Sequence, residues 1–239
     1  TDKERKAYFA KMNQNAAARQ LDLSERETRY LIDKQLQDAG WKANTDSLTF
    51  AKGARPAKGL NMAIAEWPTG RDETGKTGFA DYVLFIGLKP VAAVEAKKMN
   101  VDIADKLNEA ERYSIYFDFN HYHHELESQT GLDPEARKEL ENQINAQRAA
   151  YDIYWPHSDG ERSYKLPFVY SANGRKFSHQ LHSKSGIWFR DVRRSHHASK
   201  PLTQWHQADE LELKLNSNPE KSQQWFAQNN LEKLGLRYF

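Results

Sequence analysis

The 239-residue chain has no cysteine. That excludes disulfides, thiolate nucleophiles and Cys-ligated zinc together, and it fits a reducing, cytoplasmic setting. No apolar run approaches the roughly 18 residues a membrane-spanning helix needs, so no membrane partner is expected. A secretory leader is also missing. The opening Thr1-Asp2-Lys3-Glu4-Arg5 carries no initiator Met and reads as the start of a piece of a longer or processed chain. Neither sign of charge dominates: 35 Lys and Arg against 33 Asp and Glu give a net charge of +2. Overall charge therefore does not announce a nucleic-acid partner, and local clusters carry that question. Arg190, Arg193 and Arg194 with His196 and His197 form one such cluster, and Lys97 with Lys98 another. Each reads equally well as solvated surface.

What is present fits a soluble globular protein, with 38% hydrophobic and 28% charged residues. Residues 1–21 form a charged, Ala-rich helical arm, with Tyr8, Phe9 and Met12 spaced for one helix face. Ser24 and Glu27 have capping-box spacing, and the helix they start runs through Leu31 and Leu36 to a Gly40 stop before Trp41. Three short apolar runs follow: Leu60 to Trp67, Phe79 to Phe85 and Pro90 to Ala96. The last two, separated by Gly87-Leu88-Lys89-Pro90, read as a hairpin. Residues 102–117 are helical. Asp133-Pro134 opens a charged helical stretch inside an insertion at about 117–160. Strand patterns return at Leu166–Ser171, Lys176–His179 and Gly186–Phe189, with Asn173-Gly174 as a turn between the first two. From residue 201 the tail reads as helical, with Asn218 as a cap and Pro219 at the first helical position. This order predicts an α/β domain with a central mixed sheet flanked by helices.

The chemistry concentrates in the hairpin. Val91 to Val94 is wholly apolar, as in a strand buried on both faces, and it runs into Glu95-Ala96-Lys97. A two-residue period places Glu95 and Lys97 on one face. Antiparallel pairing brings Asp81, which opens the partner strand, to the same end. Two neighbouring carboxylates repel, and burial strengthens the effect. A divalent cation with oxygen preference relieves it, and Mg²⁺, or Mn²⁺, suits carboxylates plus water. Such an ion also activates water and offsets charge on a phosphate, while Lys97 orients the water or meets the phosphate. Taken alone, Glu-x-Lys is common and reads as a structural ion pair. An Asp opening the preceding strand makes the arrangement far more selective.

Asp81 with Glu95-x-Lys97 resembles the PD-(D/E)xK nuclease motif. Gly78-Phe79-Ala80-Asp81-Tyr82-Val83-Leu84 and Pro90-Val91-Ala92-Ala93-Val94-Glu95-Ala96-Lys97-Lys98 narrow the resemblance to the nuclease domain of type I restriction motor subunits. The helix from Ser24 to Trp41, Pro167-Phe168-Val169-Tyr170 with Asn173-Gly174-Arg175, and Gly186 to Arg193 are similar as well. The likeness runs from about residue 22 to 215 and is weakest over 117–160. It implies a restriction-endonuclease-like fold over 22–200 and a helical linker over 201–239. Leu234-Gly235-Leu236-Arg237-Tyr238-Phe239 resembles the lead-in to helicase domains.

The function implied is a metal-dependent endonuclease domain of a type I site-specific deoxyribonuclease. It would cut double-stranded unmodified DNA after ATP-driven translocation and be inactive or unspecific alone. ATP enters only through the absent helicase region, since no Gly-x-x-x-x-Gly-Lys-Ser/Thr loop is present here. The partners implied are the modification (methyltransferase) and specificity subunits. The family's Gln-x-x-x-Tyr element corresponds to Glu109 and Tyr113, with Glu where Gln is expected; positions i and i+4 still share a helix face. A first-helix acid, Glu27 or Glu25, is a further expected metal ligand, although Glu27 also serves the cap. Arg175, Lys98 and Arg190 are the expected DNA contacts. His121, His123 and His124 lack acidic support and read as surface. Two other readings stay open: a non-catalytic DNA- or subunit-docking module on a nuclease-like fold, and an unrelated α/β enzyme with a structural Glu–Lys pair.

Overall fold

Apolar residues at helical spacing and a glycine stop define the first ordered element. In the computed structural model, which describes residues 25–118, 133–139, 141–142, 164–193 and 198–217, helix α1 spans Glu25–Asp38. It buries Ile32 and Leu36 completely. Gly40 ends it at φ 86°, and the Trp41 N–H returns to the Leu36 carbonyl at 3.0 Å. A glycine takes this left-handed position without strain.

Among the described residues the sheet holds seven strands in sequence order: β1 Lys42–Ala43, β2 Asn61–Pro68, β3 Phe79–Ile86, β4 Lys89–Ala96, β5 Phe168–Ala172, β6 Ile187–Asp191 and β7 Lys200–Pro201. β1 and β2 are parallel, as are β4 and β5; the other neighbours are antiparallel. The three apolar runs thus become β2, β3 and β4. Residues Pro90 to Ala96 are all buried, as a strand covered on both faces requires. The β3–β4 turn needs only Gly87 and Leu88, because Ile86 already pairs with Lys89. Gly87 has φ 58°, the positive value that two-residue hairpin turns demand.

Helices cover both faces, so the expected α/β architecture with a mixed sheet is present. The Tyr82 hydroxyl reaches Asp33 of α1 at 3.0 Å. The next residue, Val83, packs in one cluster with Tyr113 and Phe117, and Tyr113 belongs to α2, Leu107–Ile115. The two sides follow from the alternation of strand side chains. Trp67 anchors the same cluster, with its ring centroid 4.8 Å from Phe85 and 5.0 Å from Phe50. Ser114 fixes α2 to the chain entering β5: its hydroxyl donates to the Leu166 carbonyl at 2.7 Å and accepts from the Leu166 N–H at 2.9 Å.

Three local readings change. Lys176–His179 is not a strand, and Asn173-Gly174 is not the turn of a hairpin with β5. The Asn173 amide donates instead to the Val101 carbonyl at 2.8 Å, and the Ser178 N–H donates to the Ser185 hydroxyl at 3.0 Å. The segment is tied into an irregular β5–β6 connection. β1 and β7 have two residues each, and β7 makes the start of the tail extended at Lys200–Pro201 where the sequence reads as helical. Asp133 does open a helical stretch, accepting from the N–H groups of Glu135 and Ala136 at 3.0 and 2.9 Å.

The chain divides between Trp205 and His206. Helix α3, Ala208–Asn216, belongs to the second part and starts with a Gln207–Glu210 capping box. Residues 1–21, the three histidines at 121–124, most of 117–160, and Asn218 with Pro219 lie outside the described residues.

Candidate active site

Asp81 and Glu95 meet because Tyr82 pairs with Val94 across the hairpin. The backbone N–H of Ala96 donates to Asp81 Oδ2 at 2.7 Å, so Asp81 is held against the end of β4 beside Glu95. Lys97 lies one residue past β4 and turns back to pair with Glu95 Oε1. Its ammonium also donates to Glu109 Oε2 at 2.7 Å. Lys106 Nζ stands 3.2 Å from Glu109 Oε1. The structure therefore gathers Asp81, Glu95, Lys97, Glu109 and the buried Tyr113 where β3 begins and β4 ends, under α2.

Electrostatics differ sharply among these groups. Glu95 has 3% of its side chain exposed, and its Oε2 is buried without a hydrogen-bond partner. Burial, and then the Asp81 charge, push its pKa up to about 8. Burial would raise Glu109 as well, but the Lys97 ammonium outweighs it and holds that carboxyl well below its usual range. Lys97 is pushed up despite its desolvation, since Glu109 and Glu95 both bind its charged form. Burial and the Glu95 charge keep the Tyr113 phenol protonated. The cost of burial falls on Glu95, and the Asp81 charge adds to it; a divalent cation would relieve both. Among the described residues, no group of three or more His, Asp or Glu side chains is already gathered as a metal cage. A carboxylate pair that leaves room for water is the kind of donor set Mg²⁺ uses.

Glu27, Arg175 and Arg190 have other surroundings, and the Glu25 side chain lies outside the described residues. Glu27 is exposed on α1; the α1 side chain that reaches Asp81 is Arg29, whose Nη2 pairs with Asp81 Oδ1. Arg29 Nη1 also stands 3.3 Å from Glu66 Oε1. Reading the sequence missed both Arg29 and Glu66. Strand register was the available signal: Ala65 pairs with Tyr82 and Trp67 with Ala80, which sets Glu66 across from Asp81. Arg175 is paired with Asp102 at 3.2 Å. Arg190 is paired with the buried Glu111 at 2.6 Å. Both guanidinium groups thus have a role within the fold. Lys98 is exposed beside the site.

Comparison with known proteins gives the family of the chain. A family model described as the second domain of the type I restriction enzyme EcoKI endonuclease subunit matches residues 42–144 and 132–215. The chain is 48% identical over 240 residues to the type I restriction enzyme EcoKI endonuclease subunit of Escherichia coli (strain K12). That alignment takes in 100% of this chain and 20% of the relative, so the chain spans about one fifth of that protein's length. No solved structure matches.

Proposed function

Because the chain belongs to the family of type I restriction-enzyme endonuclease subunits, we propose that Asp81, Glu95 and Lys97 form a metal-dependent centre that hydrolyses DNA phosphodiester bonds. The observation that carries this reading is the buried Glu95 carboxylate, one oxygen unpartnered, set beside Asp81 at the end of the hairpin. Asp81 and Glu95 would hold Mg²⁺ or Mn²⁺ through oxygen. Such an ion lowers the pKa of a bound water and offsets charge on the phosphate.

The remaining work falls to the chain. Lys97 stays protonated and presents its ammonium to the attacking water or to a phosphate oxygen. Glu109 and Lys106 fix where that ammonium sits, so Glu in place of the family's Gln anchors Lys97 by charge. Tyr113 keeps a hydroxyl donor beside Glu95. Lys98 offers a positive charge for the DNA backbone. Within the longer protein, the substrate would be unmodified double-stranded DNA, delivered by ATP-driven translocation. The modification and specificity subunits would be the partners, in the cytoplasm.

One observation favours a docking module instead. Lys97 and Arg29 already neutralise the site's carboxylates internally. Calorimetry with Mn²⁺ separates the two readings. A nuclease centre binds Mn²⁺ in the parent and loses it in Asp81→Ala and Glu95→Ala, with circular dichroism unchanged. No binding in the parent would sink the metal centre as read here.

A further inference from the structure

Arg29 pairs with the Asp81 oxygen other than the one bonded to the Ala96 N–H, one of the atoms through which Asp81 would hold a metal. One arm of its guanidinium pairs with Asp81 Oδ1, while Asp81 Oδ2 is taken by the Ala96 N–H at 2.7 Å. The other arm reaches Glu66 Oε1 at 3.3 Å. Glu66 and Asp81 stand between the Ala65–Tyr82 and Trp67–Ala80 pairs of adjacent strands, and both carboxylates meet the Arg29 guanidinium; like charges so placed repel unless a cation lies between them. The guanidinium fork suits this bridging task, because its donors point in fixed, divergent directions. Asp81 and Arg29 are both shielded, with 12% and 17% of their side chains exposed, whereas Glu66 is 50% exposed. Glu66 also has φ 54°, a left-handed backbone in mid-strand that L side chains rarely adopt. A non-glycine residue is thus kept where glycine would fit more easily, and its carboxylate is the one that meets Arg29.

We propose that Arg29 is a positioning residue that takes the place of the divalent cation on Asp81, and that Glu66 is its docking partner when the cation arrives. Without metal, Arg29 balances two carboxylates and holds Asp81 in place. With metal, it gives up Asp81 Oδ1 and keeps Glu66, so the site passes between two charge-balanced states without exposing Asp81 unpaired. The idea rests on the metal-centre reading. A guanidinium released from Asp81 remains beside the site, where an incoming phosphate would meet it.

The test measures Mn²⁺ affinity by calorimetry for the parent, Arg29→Met, Glu66→Gln and the double variant. Competition predicts at least threefold tighter binding in Arg29→Met and at least threefold weaker binding in Glu66→Gln. The Glu66→Gln effect should vanish when Arg29 is already Met, since Glu66 then has no guanidinium to receive. An Arg29 that merely orients Asp81 gives weaker binding in Arg29→Met. A purely through-space charge effect leaves the Glu66→Gln loss intact in the double variant. Either result overturns the proposal. Should Arg29→Met fail to fold, the half-exposed Glu66→Gln and the Arg29 Nε–H resonance still decide. That resonance must shift on adding Mg²⁺ to the parent and stay still in Asp81→Ala. Loss of Mn²⁺ binding in the parent itself would count against the metal centre, a separate failure.

Discussion

Asp33 shows how one side chain records its surroundings. Its carboxylate accepts from the Thr45 N–H at 2.6 Å and from the Tyr82 hydroxyl at 3.0 Å. Burial nevertheless raises its pKa above the usual carboxylate value, outweighing both bonds. A group whose folded pKa is raised stabilises the fold fully below its unfolded value and loses that contribution as pH rises through the folded one. The melting temperature of the parent relative to Asp33→Asn should therefore fall as pH is taken upward from the ordinary carboxylate range. Asn keeps an oxygen for Thr45 and directs its amide to Tyr82, so it supplies a non-titrating reference. A constant difference between the two melting curves across that range would refute the assignment. At the same scale, Asp81, Glu95 and Lys97 were legible because strand period and hairpin pairing bring them together whatever the details of packing. Arg29 and Glu66 were not, because their contacts join residues 52 and 37 positions apart and depend on how α1 lies on the sheet.

Among elements, legibility followed length and burial. β2, β3 and β4 each have eight residues and strong apolar patterning, and their bounds were readable to within about a residue. Two-residue strands such as β1 and β7 carry no pattern of their own; they exist because a neighbouring edge offers hydrogen bonds. Lys176–His179 misled because Phe177 alternates with polar neighbours, yet its ring packs 4.9 Å from His179 and 5.3 Å from His182 within the same connection. Helix α2 carries Glu109 and Tyr113, and the fully buried Ser114 clamps it to Leu166. Ser114→Ala leaves a backbone donor and a backbone acceptor unmet at once, and it should cost about 2 kcal/mol. Urea unfolding would measure this as a lower midpoint at an unchanged slope. A loss under about 0.5 kcal/mol would show that the clamp is not what holds the helix.

For the whole molecule, a net charge of +2 gives little long-range attraction to a polyanion. The expected behaviour of this chain alone is slow, sequence-independent nicking of supercoiled plasmid in Mg²⁺, weakened by added salt and absent in Asp81→Ala. Cutting at one defined sequence by this chain would contradict that expectation. The mixed pairing around β4 has a consequence for how the site comes to exist. β4 joins β3 through two turn residues, but reaches its parallel partner β5 only after the chain has travelled through 97–167. Closing the short hairpin loop costs far less entropy than closing the long crossover, and contacts near in sequence form sooner. Asp81 and Glu95 are therefore neighbours early in folding, whereas the pairing with β5 that walls in Glu95 is a late event. On this order the acidic pair meets while still in water, where its repulsion is screened, and the cost of burying Glu95 falls on the closing of the crossover.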